Sequence, residues 1–247
     1  QLKLLDVEFA FKGADKNIKN LNANLNFAGN DLSVKSFSFH TGQSDIYLEG
    51  SFVNVLNFIY FDDQRLHIDT RVRSMDLILE DFLLETTTSK TEDKNYDLSF
   101  VKNLDLSLAL KVDKFHFENF DATQIQGQLR VKDGVIKTKN IALNANDGSY
   151  NGHFTIDARN SNLYTLSANL NGSDINIHKL FQSFKNFGQT VIAADNIYGN
   201  ANLSVRYLSK MKPNLEIEVS TIEMSSSLQI QKGNLKNFDP LLSLSDF

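Results

Sequence analysis

The chain has 247 residues, with 25 Lys and Arg against 30 Asp and Glu, a formal net charge of −5. Hydrophobic residues make up 41% and charged residues 22%, which excludes a helical membrane bundle and a disordered tail. Cysteine is absent, so disulfides, thiolate metal ligands and cysteine nucleophiles are excluded, and the scattered charges form no basic face for nucleic acid.

Two prolines, no tryptophan and 19 phenylalanines, with abundant Asn, Ser, Thr, Leu and Ile, favour strands and turns over helices. No signal peptide opens the chain and no apolar run reaches the length of a membrane span. The chain begins at Gln1 directly in a strand-like pattern, which reads as a mature or excised piece of something longer.

Leu2, Leu4, Val7, Phe9 and Phe11 alternate loosely, and a turn at 12–16 follows. Ile18, Leu21, Ala23, Leu25 and Phe27 predict a second strand, reversed at Gly29-Asn30-Asp31 into Leu32, Val34, Phe37 and Phe39. A turn at 40–43 leads to Ile46, Leu48, Gly50 and Phe52. Leu66 to Ser74 alternates strictly, with Leu66, Ile68, Thr70 and Val72 on one face and charged residues on the other. A short amphipathic helix is expected over 79–85, and residues 86–97 carry no periodicity, as expected of a connection or long surface loop.

The clearest strand follows, with Leu104, Leu106, Leu108, Leu110 and Val112 alternating with polar residues and Phe115 and Phe117 continuing it. Ile125, Leu129 and Val131 repeat Leu21, Leu25 and Phe27 at an offset of 104. Gly152-His153-Phe154 repeats Gly50-Ser51-Phe52 at 102, and Tyr164, Leu166, Ala168 and Leu170 repeat Leu66, Ile68, Thr70 and Val72 at 98. Features kept in order at a nearly constant offset predict an internal repeat of about a hundred residues.

A second helix is expected over 177–187, where Ile177, Leu180, Phe181, Phe184 and Phe187 form one apolar stripe. Asp174 or Asn176 would cap it, and Gly188 would stop it. Residues 197–207 and 215–224 then read as strands joined by a turn at 210–214, with a possible helical turn at 240–246. The resulting division is 1–97 and 98–190 as two repeats and 191–247 as a partial repeat or cap.

About 16 alternating segments against two short helices pose a packing problem, because each strand has one apolar face to cover. A sandwich, a closed barrel or a long curled trough would each solve it. Stacked as one ribbon, the strands would run roughly 75 Å at the usual spacing.

No fingerprint of catalysis emerges. His40, His67, His116, His153 and His178 are each isolated in sequence, without metal-ligand spacing. Asp62-Asp63 and Glu80-Asp81 are adjacent carboxylates; the latter pair suits a helix start, and no nucleophile elbow or phosphate-binding loop is present. The reading is of a non-enzyme without cofactor or metal.

The strand–Gly–Phe element, the alternating strand, the Ser/Gly-x-Asp-Ile/Leu lead-in to a helix and the final stretch 234–247 resemble the C-terminal region of AsmA-like proteins of Bacteroidota type. The resemblance spans essentially the whole chain and is closest over 130–247. AsmA-like proteins are similar to TamB and to bridge-like proteins built from repeating β-grooves. The resemblance implies a mainly β fold, an elongated curled antiparallel sheet forming a taco-like trough from two repeats. It implies a periplasmic protein, tethered to the inner membrane by an N-terminal anchor that this sequence lacks. The trough would hold phospholipid acyl chains for passage between inner and outer membranes. On that basis the groove would be lined by Leu66, Ile68, Val72, Leu104, Leu106, Leu108, Leu110, Val112, Leu129, Val131, Leu166 and Leu170, and capped by Leu180, Phe181, Phe184 and Phe187. The alternative is an assembly factor for outer-membrane proteins that accepts a client strand at its sheet edge. An outer-membrane barrel is disfavoured by the helix at 177–187, and a carbohydrate-binding sandwich by the lack of Trp.

Overall fold

In a computed structural model, described here for residues 1–10, 17–61, 63–82, 99–188 and 192–236, the chain is mainly β. Twelve strands form one sheet, curled but not closed, in the order β1 to β12 without a single crossing of sequence order. They are β1 (Leu2–Phe9), β2 (Ile18–Ala28), β3 (Asp31–Thr41), β4 (Ser44–Val53), β5 (Leu66–Ile78), β6 (Leu104–Phe117), β7 (Phe120–Lys132), β8 (Val135–Ala145), β9 (Gly148–Asp157), β10 (Tyr164–Asn176), β11 (Ile197–Met211) and β12 (Glu223–Leu235). The two α-helices are α1 (Val55–Tyr60) and α2 (Ile177–Ser183).

Several expectations are corrected. The strands number twelve among the described residues rather than about 16. They are not uniformly antiparallel, because β5 and β6 pair in parallel from Leu66↔Leu104 to Ile78↔His116. A parallel neighbour needs a connection that returns along the whole strand. Residues 79–103 supply it between β5 and β6. The predicted strand 215–224 is not one up to Ile222; its last two residues open β12. Pro213 precedes it, only Ile217 bridges to Met211, and a 3₁₀ turn occupies Val219–Thr221 before β12 begins. Residues 79–85 start as a 3₁₀ turn at Leu79–Asp81, not an α-helix, and their last three positions lie outside the described residues. The predicted loop at 86–97, the turn at 12–16 and the helical turn at 240–246 also lie outside them.

The curl comes from broken registers. Asp6, Asn20, Gln124, Asn140 and Asp174 lie inside strands with φ between 51° and 56°. Each sits at a register shift in a strand pairing: Leu4/Val7, Lys19/Asn22, Thr123/Gln126, Lys137/Ile141 and Gly172/Ile175. Such bulges bend a strand and add twist. Asn and Asp tolerate the left-handed region better than other L-residues, which gives the Asn-rich composition a structural role. Neighbouring side chains then satisfy the displaced backbone: Asp6 N donates to Asn22 Oδ1 and Asp174 N to Asn202 Oδ1, both at 3.1 Å.

Buried side chains collect in separate clusters on one face. Leu21, Ala23, Leu25 and Val34 form one under β1 to β4. Val112, Ala122, Ile125 and Ala145 form a second, and Val101, Val131, Ala158, Tyr164 and Met211 a third. Ile177, Ile197 and Ala201 make the fourth, where α2 meets β11.

Candidate functional site: the apolar face of the sheet

Register places the strictly alternating residues in rows across the sheet. One row runs Phe52, Ile68, Leu106, Val131, Ile136, Ile156, Leu166 and Ser209. The next runs Gly50, Thr70, Leu108, Leu129 and Thr138. Neither of these two rows contains a charged side chain. The opposite face alternates Lys, Arg, Asp, Glu, Asn and Ser.

All twelve residues named as groove lining fall on this apolar face, but they divide by burial. Leu66, Val112 and Val131 are buried. Leu104, Leu106 and Leu129 pack against the Val131–Tyr164 cluster, and Leu110 against Val112. Ile68, Val72, Leu108 and Leu166 are half-buried, and Leu170 is 37% exposed. The middle of the face is therefore partly open at these five side chains, with Thr70 and Thr138 buried between them, and it lies between two packed ends.

Different elements fill those ends. Val101, in the 3₁₀ turn Ser99–Asn103, is 2% exposed and seats among Val131, Tyr164 and Met211. At the other end α2 follows β10, with Asn176 Oδ1 accepting from Lys179 N at 3.2 Å as its cap. Of the two predicted caps only Asn176 serves; Asp174 is the bulge residue. The helix ends at Ser183 rather than 187, because Lys185, Asn186 and Phe187 have positive φ. Asn186 is held there by accepting from Ala194 N at 2.8 Å.

The four predicted capping residues are brought together. Leu180 is buried, and Phe181 packs half-buried against Ile177 and Ile197. Phe187 meets both Phe181 and Phe184, with ring centroids 5.2 and 5.5 Å apart. Phe184 also meets Phe120 of β7 at 5.9 Å, although β8 and β9 lie between β7 and β10 in the sheet. Two strands of separation are about 14 Å of sheet, so the segment after β10 lies across the apolar face. Phe184 and Phe187 nevertheless remain 45% and 55% exposed.

Polar groups that sequence reasoning missed hold this end in place. After β5, Asp81 Oδ2 accepts from Gln43 N and Ser44 N at 3.1 Å and from Ser44 Oγ at 2.7 Å, tying the following turn to the β3–β4 hairpin. Asp45, only 4% exposed, accepts from Met75 N and Asp76 N where the β4–β5 ladder has ended. After β10, Asp147 accepts from Lys179 Nζ and Asn176 Nδ2, which lowers its pKa below the usual carboxylate value. Tyr150 donates its hydroxyl to Asn146 at 2.9 Å, and burial raises its pKa. An Asp or Asn beside a hairpin turn carries no signal that it will receive a helix from a hundred residues away or less.

The histidines stay apart. His116 Nδ1 lies 2.7 Å from Asp121, His153 lies 3.0 Å from Asn169, and His178 stacks on Tyr198 at 5.0 Å. No three metal-ligating side chains converge among the described residues. No protein-family model, curated protein or solved structure matches the chain.

Proposed function

We propose that the apolar face is a trough for phospholipid acyl chains, and that the protein works without catalysis, as the resemblance to AsmA-like proteins implies. The observation carrying this reading is the half-exposed strip of Ile68, Val72, Leu108 and Leu170 between two plugged ends. Apolar side chains left partly open to water on β5, β6 and β10 favour an apolar occupant. An acyl chain needs no directional contact, so aliphatic side chains suffice to hold it, while its headgroup stays in water along the open seam. In this reading the protein sits in the periplasm, tethered to the inner membrane, and passes lipid toward the outer membrane.

The same proposal includes a five-strand repeat, β1–β5 and β6–β10. Asn20 and Gln124 bulge at an offset of 104. Gly50 and Gly152 each lie so close to the next strand that a Cβ would collide with the carbonyl oxygen of Asp69 or Asn169. A unit with five strands is odd, so an antiparallel junction would invert its copy. The parallel β5–β6 pair keeps both units in the same orientation and makes their apolar faces continuous.

Native mass spectrometry of protein purified without detergent tests the trough. Bound phospholipid is expected, and Leu108→Asp with Leu170→Asp should abolish it while leaving the circular dichroism of the sheet unchanged. Protein that is lipid-free and takes up no fluorescent phospholipid would contradict the reading.

The second reading, strand acceptance from an outer-membrane protein, draws support from β12. Among the described residues it pairs only with β11, and Met224, Leu228 and Ile230 on it are 62%, 51% and 39% exposed. A thirteen-residue edge strand with an apolar face invites a further strand. Photocrosslinking from positions 226 and 228 to a nascent barrel protein, persisting in lipid-loaded samples, would favour this reading over the first.

A further inference from the structure

The polar face carries a feature that lipid binding leaves unexplained. Arg130 of β7 and Lys137 of β8 stand directly opposite each other in the ladder, and Lys139 stands opposite Gln128 beside them. Like charges so placed destabilise a strand pair. None of the ion pairs among the described residues involves Arg130, Lys137 or Lys139, and all three are exposed.

These cations line a hollow of about 880 Å³, together with His153, Asn169 and Asn171. No carboxylate lines it, although the chain as a whole is acidic. Two other hollows differ in this respect, for one includes Asp121, Asp147 and Asp174 and the other Asp113. The bulge at Asn140, with φ 53°, breaks the β8–β9 register between Lys137 and Ile141, beside the three cations. His153 and Asn169 face each other across β9 and β10 at 3.0 Å.

We propose that this hollow binds a phosphorylated sugar. Arg130, Lys137 and Lys139 take the phosphate, for which a guanidinium and ammonium groups supply charge-assisted donors. His153, Asn169 and Asn171 take the hydroxyls, because an amide offers the donor and the acceptor that a hydroxyl needs. The phosphate also relieves the repulsion between Arg130 and Lys137. The hollow falls within the size range of small-molecule sites. It opens on the opposite side of the sheet from the apolar strip, so its ligand is not the headgroup of a lipid held there.

Amide NMR titration of the chain with glucose 6-phosphate, with glucose and inorganic phosphate in separate arms, tests the site. Saturable shifts are expected at Arg130, Lys137, Lys139, His153 and Asn169, with glucose 6-phosphate binding about tenfold tighter than either control. Lys137→Gln should weaken binding about tenfold and, by removing one of two opposed charges, raise the melting temperature of the free protein. Absence of saturable shifts overturns the site. Equal affinity for inorganic phosphate overturns the sugar assignment, and an unchanged affinity in folded Lys137→Gln overturns the placement of the phosphate.

Discussion

The two helices differ more than their sequences suggest. Helix α1 follows β4, has no side-chain cap and buries none of its residues; Ile59, Tyr60 and the following Phe61 are 65%, 75% and 62% exposed. Helix α2 follows β10, is capped by Asn176, and buries Ile177 completely and Leu180 nearly so. The difference lies in what each meets. Helix α2 lands on the apolar face beside Ile197 and Ala201, whereas α1 makes its recorded backbone link at the β2–β3 turn, from Leu56 N to Asn30 O. An apolar helix becomes a plug only when the sheet offers it an apolar face.

The largest test of this contrast is a pair of truncations. Ile177→Ala removes a fully buried side chain and should cost about 2–5 kcal/mol in urea unfolding. Ile59→Ala should change stability by less than about 0.5 kcal/mol. Comparable losses at both sites would mean that α1 is docked as α2 is.

Next is the polar fastening on the β5 side. Asp45→Ala would leave the part-buried N–H groups of Met75 and Asp76 without their acceptor, and a loss of about 1–3 kcal/mol is expected. Amide exchange should rise first at Met75 and Asp76; a loss spread evenly over the sheet would show that Asp45 does not act locally.

A smaller effect is expected from Phe184→Asp. This ring is 45% exposed, so the fold should survive, but its contact with Phe120 would be lost and lipid retention should fall severalfold. Unchanged retention would make the Phe181–Phe187 segment peripheral.

The smallest is a pH effect. The hydrogen bond that the His116 ring donates to Asp121, opposed by desolvation and aided by the charges of Asp121, Glu80 and Asp76, raises the His116 pKa above 6.5. A raised folded pKa stabilises the fold below the unfolded value, and that contribution is lost as pH rises through the folded value. The urea midpoint of the unaltered protein should therefore exceed that of Asp121→Asn by more at pH 6 than at pH 9. Equal differences at both would show that the pair is not linked to folding.

Much of the sheet was legible because period-two alternation reports a face directly. Leu66–Ser74 and Leu104–Val112 fall in strands as read, and their apolar residues share one side. Helix α1 was not legible, since Val55-Leu-Asn-Phe-Ile-Tyr60 is short, apolar and rich in residues that suit strands. The parallel β5–β6 pair escaped for a different reason. Alternation is blind to strand direction, and only the length of the 79–103 connection hinted at a return. Residues 215–222 show the reverse error, because alternating Leu215, Ile217 and Val219 satisfied a pattern while β11 had only one bridge to offer them.

For the candidate site, faces could be read but depth could not. Leu108 and Val112 look alike in sequence, yet one is half-exposed in the middle of the face and the other is 1% exposed at a plugged end. Val101, which fills the opposite end, lies outside any strand and had no periodicity to announce it.

The claim that the open middle of the apolar face holds acyl chains is tested most directly by methyl NMR with a phospholipid spin-labelled in its tail. Methyl signals of Ile68, Val72, Leu108 and Leu170 should broaden together, while Leu5, 75% exposed on the polar face of β1, should not. Broadening of Leu5 to the same extent, or broadening confined to Met224 and Leu228 on β12, would contradict it.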